Sequence, residues 1–184
     1  MKNFILFALY LLLFSCSKKT ELEKILKCKT TKFENVSSKT DFNKNFILNI
    51  PTTWKTDLYF DKNVSEIFSA DTTKQLSDAY ILGASHNFGT IQFDAIFKRE
   101  NDSILNVNSL KIIKAGEISF QNKPAYFYIA QGTRNNLVYH KFNITVLLGS
   151  TSFFNAYSEV FGNKNVDERI CESISLIQQV KFLQ

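Results

Sequence analysis

Hydrophobic and polar positions alternate through most of this chain, and the period changes to a helical one only near the end. In "NFILNIPTTWK", Phe46, Leu48 and Ile50 stand two apart. They share one face of a strand, which Pro51 closes because proline cannot donate to a ladder. "VSEIFSAD" and "DAYILGASH" predict further short strands. "SLKIIKAGEISF", "QNK" and "PAYFYIAQGT" predict a hairpin around a polar turn. In "LVYHKFNITVLLG", Val138, Phe142, Ile144, Val146 and Leu148 fall on one face while Lys141, Asn143 and Thr145 point away, which predicts a half-buried strand. "SFFNAYSEVF" follows as its partner. Then Val166, Ile170, Ile174 and Ile177 form a stripe at helical spacing. Asn165 stands at the N-cap and Glu168 at the third helical position. Cys171 lies beside the stripe, so at least partial burial is expected. In "TIQFDAIFKREND" the alternation of Ile91, Phe93, Ala95 and Phe97 suits a strand, and the charged ending with "SIL" beyond suits a helix.

The first forty residues follow another pattern. Lys2 precedes an uncharged run from Phe4 to Phe14. At about 1.5 Å per helical residue the run covers roughly 16 Å of a hydrocarbon core about 30 Å thick. It is too short to span and has the length of a signal-peptide core. Leu13-Phe14-Ser15-Cys16 resembles the bacterial lipobox, with Phe14 bulkier than usual at its position. The resemblance implies cleavage behind Ser15 and diacylglycerol attached to Cys16. Residues 1–15 are then a lipoprotein signal peptide, and 16–40 a lipidated basic tether. Within the tether, "TELEKILK" has the capping-box start Thr20 and Glu23 and predicts a short helix. Residues 41–184 are the globular domain.

Charge sharpens that division. The formal net charge is +5. Lys2 leaves with the signal, and residues 16–40 hold seven lysines against three glutamates. From Asp41 onward 14 basic residues balance 14 acidic ones. A nucleic-acid binder concentrates positive charge on the domain itself, so no nucleic-acid partner is expected. A hydrophobic content of 45% with 18 Phe suits a filled core. Beyond Cys16, Cys28 and Cys171 are either a disulfide joining the two ends of the domain or two buried free thiols.

The order of elements, with the opening Phe46, Ile50, Pro51 and Trp54 as "F-x-x-x-I-P-x-x-W", resembles the PsbP-like fold. That resemblance implies an α+β architecture, an antiparallel β-sheet with helices packed on its faces, over about residues 42–183. It also favours a helix over 90–105. Bacterial lipoproteins of this kind are generally non-catalytic, which lowers the expectation of an enzyme.

The search for chemistry returns little. His86 and His140 have no second ligand at metal spacing, and satisfied structural histidines are expected. No metal site, cofactor or catalytic residue is assigned, and no nucleophile elbow or phosphate loop appears. Trp54 is a possible ligand-stacking residue or a packing one. Tyr126, Tyr128 and Tyr139 fall on one sheet face and either form an interface or lie beneath a helix. Asp71-Thr72-Thr73 and Asp102-Ser103-Ile104 resemble a three-residue O-glycosylation pattern of Bacteroidetes-type envelopes. The resulting expectation is a lipid-anchored envelope protein acting as a non-catalytic binding or assembly-support domain, with the membrane and an envelope protein as partners. Ser17 after the cysteine resembles release to the outer membrane, facing the periplasm. A small envelope hydrolase and an immunity-type toxin inhibitor are the alternatives.

Overall fold

Residues 19–183 are described by a computed structural model. The expected signal peptide and Cys16 lie outside the described residues. The chain forms α1 (Glu21–Leu26), β1 (Val36–Thr40), β2 (Phe46–Pro51), β3 (Lys55–Phe60), β4 (Val64–Ala70), β5 (Tyr80–Phe88) and α2 (Ala95–Val107). It continues with β6 (Leu110–Phe120), β7 (Lys123–Arg134), β8 (Leu137–Leu147), β9 (Ser152–Phe161), α3 (Val166–Ile177) and β10 (Lys181–Phe182).

Seven strands make one antiparallel sheet in the order β3-β4-β5-β9-β8-β7-β6, and β1-β2-β10 make a second, smaller one. One face of the large sheet carries Phe127, Phe142, Ile144, Phe154 and Leu82 into a core shared with Phe46, Leu48 and Ile50 of β2 and Ile170, Ile174 and Ile177 of α3. The opposite face carries Tyr126, Tyr128 and Tyr139 against Leu105 of α2. Helices and the small sheet thus cover both faces of an antiparallel sheet, an α+β architecture.

Local sequence explains the turns. Gln121-Asn122 and Asn135-Asn136 are consecutive pairs at positive φ, each closing a hairpin across the registered pairs Phe120–Lys123 and Arg134–Leu137. Two-residue hairpin loops need this left-handed backbone, and asparagine tolerates it well. The 91–107 segment with mixed signals resolves into α2. Asp94 caps it by accepting from the Phe97 amide, and Phe93 and Phe97 close on the Tyr126 ring.

Three expectations need correction. Residues 16–40 were expected to be a tether, yet packing begins at Thr20. The capping box forms as anticipated, and Leu22 and Cys28 are each 1% exposed. Glu21 accepts from the Ser119 amide, Gln178 donates to the Thr20 hydroxyl, and Thr31 donates its amide to Ser175. β1 then pairs with β2 along its whole length. The few apolar groups here are enough, because each docks on a surface already built by the rest of the chain.

The second correction concerns β8, expected to be half-buried and found buried on both faces. Asn143 sits directly between Tyr128 of β7 and Tyr157 of β9, so tall neighbours enclose it. Thr145 is buried beside it and bonds to Asn155. The third is at α3. Asn165 occupies the N-cap position, but its backbone is left-handed and its side chain makes no capping bond.

Candidate functional site

The disulfide between Cys28 and Cys171 holds the end of α1 beside the first turns of α3. Below them β6 carries a bulge between Ile112 and Lys114, where an extra residue bends the strand. A cavity of about 520 Å³ opens between these elements. Leu26, Ile129, Val166 and Ile170 give it an apolar lining, and Cys171 contributes to its wall. Lys114, Gln131, Asn163 and Asp167 stand on the rim, all of them exposed. Lys114 is steadied by donating to the Ile25 carbonyl at 2.7 Å. Apolar clefts of this size with a few polar groups are the usual form of small-molecule sites.

The polar group in the floor is His140, at 7% exposure. Its Nδ1 is enclosed and has no hydrogen-bond partner among the described residues. Burial holds the imidazole below the usual histidine range, against the pull of Asp167 and with the push of Arg169. The ring is therefore neutral near pH 7 and can donate from one nitrogen and accept at the other. The lining holds no serine or threonine, and Cys171 is bonded through its sulfur. A serine- or cysteine-type acyl-transfer relay needs a hydroxyl or free thiol within reach of its base, and none of the lining side chains supplies one. Among the described residues, no three histidine, cysteine, aspartate or glutamate side chains come together as a metal site.

The other face of the sheet has a smaller cavity of about 330 Å³ beside α2. All three predicted tyrosines lie on this face and all are covered by α2 and its neighbours, at 2–6% exposure. Tyr126 packs in an aromatic box with Phe93 and Phe97. Tyr139 donates to Glu159 at 2.8 Å, and Arg134 donates to the same carboxylate at 3.1 Å. Tyr157 donates to Glu66 at 3.0 Å, with Lys141 5.0 Å from its ring centre. Burial pushes the Tyr128 phenol up to about 12. The charges here answer one another within the sheet, which marks a packing device rather than an open interface.

The remaining candidates separate cleanly. Trp54 is partly buried and meets Tyr80 edge-on at 5.1 Å, a packing role. Thr72 is exposed in a turn and Ser103 is exposed on α2. His86 corrects the expectation of a satisfied histidine: it is 2% exposed and neither ring nitrogen has a hydrogen-bond partner among the described residues. Burial depresses its pKa against the pull of Asp41. Both histidines thus bind protons less readily in the folded chain than in the unfolded one. By linkage, stability is full above about pH 6.5 and falls as the pH drops below it. Thermal melts between pH 7.5 and 5 should show that decline, and His86→Leu should remove about half of it. An unchanged pH slope in the variant would assign the decline elsewhere.

No family model and no curated protein matches the sequence. Among solved structures the chain is similar to cyanobacterial PsbP (CyanoP) from Synechocystis sp. PCC 6803. The TM-score is 0.62 at 9% identity, over 84% of this chain and 96% of that one. The fold is PsbP-like. A protein from Bacteroides thetaiotaomicron VPI-5482 is similar at a TM-score of 0.52 and 11% identity, over 82% of this chain and 50% of that one. Identities this low speak for architecture, since one fold hosts unrelated functions. Within the PsbP-like frame the function has to be argued from the cavity, whose lining comes from α1, α3 and one edge of the sheet.

Proposed function

We propose that the protein is a lipid-anchored envelope protein that binds a small molecule without transforming it. The cavity over His140 carries this reading. It combines an apolar floor with one enclosed hydrogen-bonding group, the pattern by which binding proteins orient a ligand. A lining without a hydroxyl or a free thiol favours binding over turnover. The lipobox at Cys16 supports anchoring through acyl chains, each buried CH₂ contributing about 0.8 kcal/mol. A Cys28–Cys171 disulfide fits a compartment outside the reducing cytoplasm. Ser17 after the cysteine supports placement at the outer membrane, facing the periplasm.

The binding reading is tested on full-length protein extracted from membranes in mild detergent. Denaturation should release a small molecule detectable by mass spectrometry, and Ile170→Trp, which fills the cavity, should abolish its recovery. Equal recovery from both proteins would refute the reading. The anchor has a separate test: Cys16→Ser should move the protein to the soluble fraction, and unchanged membrane fractionation would overturn it. A second reading, a hydrolase in which His140 activates water, is favoured by Asp167 on the rim of the same cavity. It requires turnover of an ester or amide that His140→Gln abolishes.

A further inference from the structure

Resting on that binding reading, we infer that the cavity beneath α3 takes a small, mainly apolar molecule with a single carboxylate head, held by His140 and the first-turn amides of α3. The floor supplies the first constraint. Ile129 and Ile170 are almost fully buried and, with Leu26 and Val166, leave only apolar contact for the body of a ligand. His140 is the exception, more than nine-tenths enclosed with Nδ1 unpartnered. Nδ1 itself is too enclosed for a ligand atom to touch, so a head group in the cavity meets the ring through Nε2, which is not among the enclosed atoms.

The sign of that head group follows from α3. Helical backbones leave their first amides without intrahelical acceptors and carry partial positive charge at that end. Here Asn165 lends no side-chain oxygen, and the first intrahelical bond runs from the Arg169 amide to the Asn165 carbonyl at 3.0 Å. Val166 and Asp167, both in the first turn, line the cavity. Lys114 adds a cation on the β6 side, and the buried Arg169 guanidinium adds field from behind. Asp167 opposes an anion, but it is exposed on the rim, where water and salt screen it. In the floor, His140 lies in a medium that screens far less. The balance favours a single negative charge placed deep, with the apolar body above it.

Two probes of matched shape test this: 4-phenylbutyrate and its neutral analogue 4-phenylbutanol, titrated calorimetrically into the disulfide-bonded protein at pH 7.5. The acid should bind at least about tenfold more tightly than the alcohol, the scale of a hydrogen bond to a charged group. His140→Phe should bring the acid down to the alcohol's affinity, and His140→Gln, which keeps a donor, should retain part of the difference. In ring-detected NMR the acid should raise the titration midpoint of His140 and leave that of His86 unmoved. Equal affinity for the two probes, or full acid affinity in His140→Phe, would overturn the inference. Binding of neither probe would also overturn it, while release of another molecule from the extracted protein would leave the broader binding reading standing.

Discussion

Replacing both Cys28 and Cys171 with alanine is expected to lower the stability of the domain by about 5 kcal/mol in the chain-entropy model. The two residues are 143 apart in sequence, so the bond closes nearly the whole described chain into a loop. Without it the unfolded state regains that loop freedom, and the folded state loses the clamp between α1 and α3. Cys28 is 1% exposed, so reductant should act on the native protein only through opening of this corner. Denaturant titration of the double variant against the oxidised parent measures the loss. Coincident midpoints would show that the bond contributes nothing to the equilibrium. The effect should reach the cavity too, because Leu26 and Cys171 form one of its walls.

Arg169→Ala is expected to cost about 3–5 kcal/mol, for a different reason. Arg169 is 5% exposed, a buried guanidinium whose charge is met by carbonyl oxygens. It donates to Ala79 and Phe161, both at 2.9 Å, and to Lys164 at 2.6 Å. These carbonyls belong to the approach to β5, the end of β9 and the loop leading into α3. One planar fork therefore ties the end of the β5–β9 ladder to the loop that leads into α3. Truncation leaves two buried carbonyls and one partly buried carbonyl without this donor. Arg169→Lys keeps the charge but loses the fork geometry, so it should recover only part of the loss. Urea melts of the parent and both variants separate these cases, and a fully stable Arg169→Lys would show that charge alone matters.

The large strands and α3 were legible because period reports burial directly. Phe46, Leu48 and Ile50 declare a face by alternation, and Ile170, Ile174 and Ile177 declare one by helical spacing. The capping box at Thr20 and Glu23 was legible too, since its bonds are local. What could not be read depends on partners far away in sequence. β1, "VSSKT", has almost no apolar signal and exists because β2 offers it a register. Asn143 and Thr145 look solvent-facing until the neighbouring tyrosines and α2 are placed. Arg169 reads as one more charged helix residue because its partners are backbone carbonyls, which leave no mark on side-chain pattern. The cavity draws on α1, three strands and α3, so His140 gained meaning only once those segments met.

The early start of packing has a consequence for where the protein can act. With Cys16 acylated, as proposed, only residues 17–19 separate the lipid from Thr20, whose hydroxyl is already held by Gln178. At about 3.5 Å per extended residue the domain stands no more than roughly 14 Å from its lipid. A tether running free to residue 40 would have let it range over roughly 85 Å. So anchored, the molecule would be moored against the bilayer, and whatever it met would have to come to the membrane surface.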